Sequence, residues 1–219
     1  MTTSLHYNTV SPFLLEVLKL IMRSKIFDKF RLVGGTSLSL QRGHRMSLDI
    51  DLFTNAEYGS IDFNGITRFL QKHFLYVDSI KLKPEGLGKA FFVGQDKNNC
   101  LKLDLFYTDD FIDDVLIVDG IRLASIEEII AMKLDVVTRV GRKKDFWDLH
   151  DLTEDFCLAE MLALHEKRYP YSHDKKELMK TLQDFAMADN DFDPVCLKSK
   201  YWEVIKLDMM DFVNDYLSR

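Results

Sequence analysis

The chain has 219 residues, 47% of them hydrophobic, which allows one domain of ordinary size, or two small lobes, with a sizeable core. Its net charge of −6 excludes a global basic field, so any RNA partner must be held by a local patch. Three scattered cysteines fit neither a disulfide framework nor a metal-binding spacing, which indicates a cytoplasmic protein. We expect no signal peptide and no membrane partner, because no apolar run is long enough to cross a bilayer.

The first predicted elements are a packing helix and a short strand. Apolar residues recur at helical spacing over 12–22, after the N-cap pair Ser11-Pro12. Residues 30–33 then form an apolar strand that stops at Gly34 and Gly35. Glycines at this point allow a sharp turn and the close approach of a ligand.

A short helix over 37–41 is predicted directly after these glycines, and it ends at Gly43. Thr36 and Ser37 lie at its N-terminus. Free N–H groups and hydroxyls at a helix start favour an anion, and phosphate suits them best. The sequence therefore predicts a phosphate-binding turn here.

Apolar and acidic residues alternate in the next predicted strand, 48–53. Because alternate residues of a strand share a face, Asp49 and Asp51 are expected to point together out of one face. The apolar residues of the other face are expected in a core: Leu48, Ile50 and Leu52. Neighbouring carboxylates repel each other unless a cation lies between them, and magnesium prefers such oxygen ligands. This strand therefore predicts a two-carboxylate metal platform.

The remaining elements divide the chain into two parts. Before residue 119 the pattern predicts a helix and strands, at 61–74, 75–83, 90–93, 99–107 and 115–118, with turns at 84–86 and 95–99. Residues 121–123 close a hairpin, and helices follow at 126–139, 144–156, 158–168, 175–188 and 201–217, the first opened by a predicted capping box of Ser125 and Glu128. We therefore predict an α+β fold: a mixed-sheet α/β domain over 1–119 and an all-helical C-terminal lobe over 120–219. A cleft between them is the natural substrate site.

A third aspartate lies in a strand. Asp104 occupies the middle of the alternating strand 99–107, a position to which aspartate is poorly suited. Its presence there is reasonable if its side chain points into the same cleft as Asp49 and Asp51.

The order Gly34-Gly35-Thr36 and then Asp49-x-Asp51 resembles the signature of the DNA-polymerase-β-like nucleotidyltransferase superfamily. The longer string GGTSLSLQRGHRMSLDIDLF resembles the AbiEii/AbiGii toxins of type IV toxin–antitoxin systems. The resemblance covers about residues 30–155. It implies a nucleotidyltransferase-fold sheet and transfer of NMP from an NTP to an acceptor, in some members the 3′ end of tRNA. It also implies two Mg²⁺ ions and a cognate antitoxin.

The resemblance also implies roles for particular residues. Metal ligation and catalysis would fall to Asp49, Asp51 and Asp104, and the triphosphate would be held by Gly34, Gly35, Thr36 and Ser37. Lys133 matches the lysine of an AMKL-type motif that holds the triphosphate, although a lysine whose head snorkels to water has the same pattern.

The basic string at 139–144 is expected to be either a patch that contacts triphosphate or RNA or a solvated linker, and the KDFWDL string at 144–149 resembles the fourth motif of the family. Asp148 would orient a catalytic group, whereas helix capping alone would explain Asp145. Acceptor RNA is the expected ligand of Arg142 and Lys143. Two basic residues precede the acidic strand: Arg45 is expected to contact phosphate or to pair with Asp49, and His44 is expected to be an ordinary loop histidine.

Two alternative functions remain open on the sequence. The same motifs would serve a nucleotidyltransferase that modifies a small molecule such as an antibiotic. A non-catalytic binding module belongs to a different class, which the three acids disfavour. A basic groove beside the carboxylates would favour RNA, and a small closed pocket would favour the small molecule. The aromatic residues are expected mostly in the core.

Overall fold

The computed structural model describes residues 4–80 and 86–218, which form eight α-helices and one seven-stranded sheet. The strands are β1 (Arg31–Leu32), β2 (Ile50–Thr54), β3 (Tyr76–Ile80), β4 (Gly88–Gly94), β5 (Cys100–Tyr107), β6 (Leu116–Val118) and β7 (Ile121–Leu123). The helices are α1 (Pro12–Met22), α2 (Gly34–Arg42), α3 (Phe63–His73), α4 (Ile126–Val140), α5 (Lys143–Leu152), α6 (Leu158–Arg168), α7 (Lys175–Thr181) and α8 (Trp202–Leu217). The predicted α+β class is confirmed. No helix within the described ranges is both long and apolar enough to cross a membrane.

The sheet has the strand order β3-β4-β5-β2-β1-β7-β6. The pairs β2–β5 and β1–β7 are parallel, and the other neighbours are antiparallel. One apolar core packs α1 and α3 against the sheet. A second core lies among α4 to α8 and includes Val33 and Leu38, from the turn after β1 and from α2. The helix α2 therefore joins the sheet to the helical lobe.

The domain boundary predicted at residue 119 falls inside a hairpin. Asp119 and Gly120 form its turn, with φ values of 51° and 77°. The second strand of the hairpin, β7, pairs with both β6 and β1, so the sheet continues to Leu123. The helical lobe begins only at α4.

Three predicted helix boundaries shift. The helix α2 begins at Gly34 rather than at 37, and α5 ends at Leu152 rather than at 156. The helix predicted over 175–188 ends at Thr181. Leu178, Leu182 and Phe185 of the predicted helix are nevertheless buried. The spacing of apolar residues therefore predicted correctly which side chains are buried, but not a continuous helix.

The predicted strand 75–83 appears as β3, which ends at Ile80. Residues 81–85, which include most of the predicted turn 84–86, lie outside the described residues.

The predicted capping box of α4 forms only in part. The Ser125 hydroxyl accepts the Glu128 N–H at 3.0 Å. The Glu128 carboxylate accepts instead from Arg168 Nε, at 2.6 Å, and from the Ile112 N–H, at 2.8 Å. A buried arginine thus competes successfully for the carboxylate, because an ion pair without water is stronger than a capping bond to a neutral N–H.

Candidate active site

A cleft of about 920 Å³ lies where the sheet meets the helical lobe. The turn after β1, the cleft-facing sides of β2 and β5, and the facing ends of α4 and α5 form its walls. Its lining includes Gly34, Gly35, Asp51, Phe53, Phe106, Lys133, Arg142 and Lys144.

Two aspartates lie side by side on the cleft face of the sheet. The parallel strands β2 and β5 place Asp51 directly opposite Asp104 in the register. The alternate residues of both strands, Ile50, Leu52, Leu103 and Leu105, are fully buried on the other face. Strand periodicity therefore brings the two carboxylates together from positions far apart in the chain.

The carboxylate of Asp51 is crowded by negative charge and by backbone. Burial raises the pKa of Asp51 to about 6, and repulsion from Asp104 and Asp49 adds to this shift. Gly34 has φ +65°, and a Cβ built on it would lie 2.9 Å from Asp51 Oδ2. A glycine is therefore needed at position 34 both for the backbone angle and for the space beside Asp51.

Asp49 lies just outside β2, which begins at Ile50. Its side chain is 41% exposed, and its Oδ2 lies 3.9 Å from Lys144 Nζ. Leu48, which was expected in the core, is 71% exposed. The alternation prediction fails for Leu48 because isolated bridges at Arg45 and Ser47 hold this segment as a loop.

Asp104 has one bonded and one unbonded carboxylate oxygen. Its Oδ2 accepts from Lys102 Nζ at 2.5 Å, and its buried Oδ1 has no hydrogen-bond partner among the described residues. Within residues 4–80 and 86–218, no three His, Cys, Asp or Glu side chains are gathered closely enough to share a metal ion. The three-aspartate metal set therefore stays a prediction.

The hydroxyls of Thr36 and Ser37 point into the protein, not into the cleft. Both residues are fully buried. Thr36 Oγ1 hydrogen-bonds with Ser47 Oγ, at 2.7 Å, and donates to the Asp49 carbonyl, while Gln41 Nε2 donates to Ser37 Oγ at 3.1 Å. Because α2 begins at Gly34, the two hydroxyls lie on the buried side of its first turn. The Thr36 hydroxyl braces the loop before β2, the Ser37 hydroxyl bonds within α2, and Gly34 and Gly35 line the cleft instead.

Asp148 is the centre of a buried ion network behind the cleft. It accepts from Arg45 Nε and Nη2, at 2.6 and 2.8 Å. It also hydrogen-bonds with His44 Nε2, at 2.7 Å, and pairs with Lys133 Nζ, at 2.6 Å. Burial alone would raise the pKa of Asp148, but Arg45 and Lys133 hold it well below its usual range. Asp148 is fully buried, so any role in the reaction would be exerted through these partners.

Lys133 joins this network to the start of α5. Its Nζ donates to Asp145 Oδ1 at 2.7 Å as well as pairing with Asp148. Asp145 Oδ2 accepts the Arg142 N–H, at 3.1 Å, so Asp145 also caps α5 as expected. Burial would lower the pKa of Lys133, but Asp148 and Asp145 raise it, so the lysine stays charged.

Arg45 supports the glycine turn from beneath. It is buried, and a Cβ on Gly35 would overlap its Nη2. Its guanidinium binds Asp148 and the Met46 carbonyl, so Asp148 and not the expected Asp49 is its carboxylate partner. The expected phosphate contact of Arg45 stays a prediction.

The basic string divides between core and cleft. Lys143, which was expected to bind acceptor, is buried, pairs with Asp193 at 2.8 Å and lies over the Trp202 ring. Arg142 and Lys144 line the cleft, with 56% and 32% of their side chains exposed. Burial lowers the pKa of Lys144, and the charge of Arg142 adds to this effect. Lys143 and Lys144 are neighbours in the first turn of α5, so their side chains point in different directions, and only Lys144 faces the cleft.

Aromatic side chains also line the cleft, although the sequence suggested that they belong in the core. Phe53 and Phe106 are opposite one another in the β2–β5 register, with ring centroids 5.9 Å apart. Tyr58, Tyr107 and Tyr169 add further rings to the lining. The signal available in the sequence was the alternation itself, because Phe53 and Phe106 follow Asp51 and Asp104 by two residues.

A mixed sheet with a glycine turn and paired aspartates at a cleft is the arrangement of a nucleotidyltransferase, and the comparison with protein families agrees. The family model described as nucleotidyl transferase AbiEii toxin, type IV TA system, matches residues 16–218. The chain belongs to this family and is a nucleotidyltransferase toxin of a toxin–antitoxin system.

One relative in sequence and two solved structures match most of this chain. An uncharacterized protein of Aquifex aeolicus (strain VF5) is 29% identical, over 92% of this chain and 95% of its own. The structure of JHP933 from Helicobacter pylori has a TM-score of 0.55 at 22% identity, covering 94% of this chain and 92% of that one. The nucleotidyltransferase toxin MenT4 from Mycobacterium tuberculosis H37Rv has a TM-score of 0.56 at 14% identity, covering 92% and 83%.

Proposed function

We propose that this toxin transfers NMP from an NTP to a hydroxyl of an acceptor, with Mg²⁺ as cofactor and the 3′ end of tRNA as the first candidate acceptor. The observation that carries the proposal is the in-register pair Asp51 and Asp104 beside Gly34, with Asp51 in the lining of a cleft that also contains basic side chains.

Magnesium suits the donor set of the cleft. Burial raises the pKa of Asp51, repulsion from Asp104 and Asp49 raises it further, and Asp104 Oδ1 is buried without a partner among the described residues. Hard oxygen donors of this kind prefer Mg²⁺. Asp51 and Asp104, with Asp49 at the edge, would hold the proposed two ions. When bound, magnesium would neutralise the phosphates and lower the pKa of the attacking hydroxyl.

The triphosphate would lie on the glycine turn. N–H groups at the start of α2, at Gly34 and Gly35, present the positive end of the helix to the cleft. Lys144 is the lysine most open to the cleft, whereas two of the three donors of Lys133 already bind carboxylates. We therefore assign the direct phosphate contact to Lys144, with Lys133 contributing its remaining donor and its charge.

The transfer itself exchanges one phosphoester bond for another. The acceptor oxygen bonds to the α-phosphorus as the bond to the bridging oxygen breaks, and pyrophosphate leaves. Asp104, whose Oδ1 has no partner among the described residues, would accept the proton of the attacking hydroxyl as this bond forms. Lys144 and Arg142 would stabilise the charge on the departing pyrophosphate.

The shape and charge of the cleft favour RNA over a small molecule. Exposed Arg139 and Arg142 lie in its lining, and basic side chains at an open cleft suit a phosphate backbone. A small-molecule nucleotidyltransferase would be expected to enclose its acceptor. A cognate antitoxin is the proposed protein partner, and the cytoplasm, which holds NTPs and tRNA, is the proposed compartment.

The direct test is a transfer assay with purified protein, each labelled NTP in turn, and total bacterial tRNA. We expect label on tRNA with Mg²⁺ and none with EDTA or with Asp51→Ala. Label on aminoglycosides but not on RNA would favour the small-molecule enzyme, and full activity of Asp51→Ala would refute the metal assignment.

A growth assay tests the toxin in cells. Expression without an antitoxin should slow growth, and Asp49→Ala should relieve the defect at equal protein level. Normal growth with abundant soluble wild-type protein would count against an RNA acceptor that all bacteria share.

A further inference from the structure

We infer that Phe53 and Phe106 form a stacking platform for a nucleobase, one ribose away from the reacting phosphate. This inference rests on the proposed function, because it concerns a ligand whose phosphates lie at Asp51 and Asp104.

The register of the sheet fixes the distance between carboxylates and rings. Phe53 follows Asp51 by two residues in β2, and Phe106 follows Asp104 by two residues in β5. Residues two apart share a face and are separated by about 6–7 Å along a strand. The aromatic pair is therefore displaced from the carboxylate pair by about the length of one ribose.

The rings are arranged so that they can accept a flat ligand. They meet edge to face, at an interplanar angle of 66°, and both line the cleft, where Phe53 also packs against the helical core. Gly88 is the β4 partner of Phe106, and a Cβ there would overlap the Leu105 carbonyl oxygen and lie 2.6 Å from the Phe106 ring. A glycine at this position therefore leaves room both for the backbone of the neighbouring strand and for the ring.

The chemistry of the wall matches a base better than a phosphate or a sugar. Stacking on an aromatic ring is favourable for every nucleobase, because each has a π face. Tyr58, which is 64% exposed, adds a third ring to the cleft lining. The base belongs either to the NTP or to the terminal nucleotide of an RNA acceptor, and these sources share one chemistry.

Binding measurements on the full chain, with Mg²⁺, test the platform. The ligands are the four NTPs, inorganic tripolyphosphate, which lacks a base, and a single-stranded oligoribonucleotide. Phe106→Leu should weaken NTP binding about 10-fold and leave tripolyphosphate binding unchanged. Phe106→Tyr should bind like wild type, and Phe192→Leu, at a 93% exposed position, is the matched control.

The outcomes separate this inference from the proposed function. Weaker binding of the oligoribonucleotide but not of NTPs would support the platform and assign the base to the acceptor. If thermal melting shows that Phe106→Leu and Phe53→Leu are folded, and both variants bind NTPs and the oligoribonucleotide as tightly as wild type, the inference is wrong. If the wild-type protein binds neither NTP nor tripolyphosphate, the proposed function fails as well.

Discussion

At the scale of single residues, the site depends on charges held where water would normally surround them. The pKa of Asp51 in β2 is raised and that of Asp148 in α5 is lowered, although burial acts to raise both. Repulsion from other carboxylates adds to burial at Asp51, whereas two cations outweigh burial at Asp148. Asp51 is therefore available for a cation, and Asp148 already has its cations.

The pKa shift of Asp51 predicts a pH-dependent cost in stability. Because its pKa rises from 3.8 to about 6 on folding, the folded protein holds the proton more tightly, and stability falls as pH rises through that window. In chelator at pH 8, Asp51→Asn should raise the free energy of unfolding by about 1–2 kcal/mol and abolish transfer. Below pH 4 the gain in stability should disappear.

Denaturant melts at both pH values measure this effect, with exposed Asp114→Asn as the control. A variant no more stable than wild type at pH 8 would contradict the assigned repulsion.

The two cleft lysines are expected to respond differently to truncation. Lys133→Ala leaves Asp145 and Asp148 short of a cation, so it should destabilise the fold by about 3–5 kcal/mol. Lys144→Ala should barely affect stability, weaken triphosphate binding and slow transfer by about 10²-fold. Thermal melts and nucleotide titration distinguish the two. Normal nucleotide affinity in Lys144→Ala would return the phosphate role to Lys133.

At the scale of elements, α2 and α5 hold the cleft between them. The turn into α2 touches Asp51 on one side and Arg45 on the other, through Gly34 and Gly35. Asp148 then ties Arg45 to α5. A disturbance in either helix should therefore reach the carboxylates.

Gly34→Ala should impair transfer more than stability alone explains. Gly34 and Gly120 both have positive φ, so alanine costs about 1–2 kcal/mol at either position. Only at Gly34 would the new Cβ meet Asp51, whereas nothing lies within 4 Å of a Cβ on Gly120. We expect Gly34→Ala to lose about 10²-fold in transfer through displacement of the carboxylate, and Gly120→Ala to keep its activity. Equal activity of the two variants would refute the contact.

Asp148→Asn should uncouple α5 from the glycine turn. The neutral side chain leaves Arg45 and Lys133 without their shared anion, at a cost of about 3–5 kcal/mol. Because the folded pKa of Asp148 is depressed, its contribution is present above pH 4 and is lost as pH falls further. The free energies of unfolding of the wild type and Asp148→Asn, measured as the pH is lowered, should therefore converge at low pH.

The control for this variant is Asp155→Asn. Asp155 pairs with Arg42 at the surface, with a side chain 52% exposed, and should contribute under about 1 kcal/mol. Equal losses in the two variants would mean that the network is not the source of stability.

At the scale of the whole molecule, the two lobes share elements and should unfold together. Leu38 of α2 lies in the helical core, while β7, just before α4, lies inside the sheet between β1 and β6. Scanning calorimetry should therefore show one unfolding transition. Leu38→Ala should lower the free energy of unfolding by about 2–5 kcal/mol and leave a single transition. Two separated transitions would show that the lobes fold independently.

The sequence by itself determined the local chemistry of this protein. The glycine turn, the alternating strand and the apolar helices are each encoded within a few residues, so the α+β class could be predicted from local patterns. The family could be predicted from short strings such as residues 34–53. The side chains of the basic string were less well determined: acceptor binding was predicted for Arg142 and Lys143, but Lys143 is buried against Asp193, and Lys144 lines the cleft.

Only the tertiary structure decided the partners. Arg45 and Asp148 meet across 103 residues of chain, and no local pattern marks such a pair. The Thr36 hydroxyl faces inward because it bonds to Ser47 and Asp49 in the loop before β2, and the Ser37 hydroxyl faces inward because it accepts from Gln41. Which face of a strand or helix becomes a cleft depends on what packs opposite it, and that information is distributed over the whole chain.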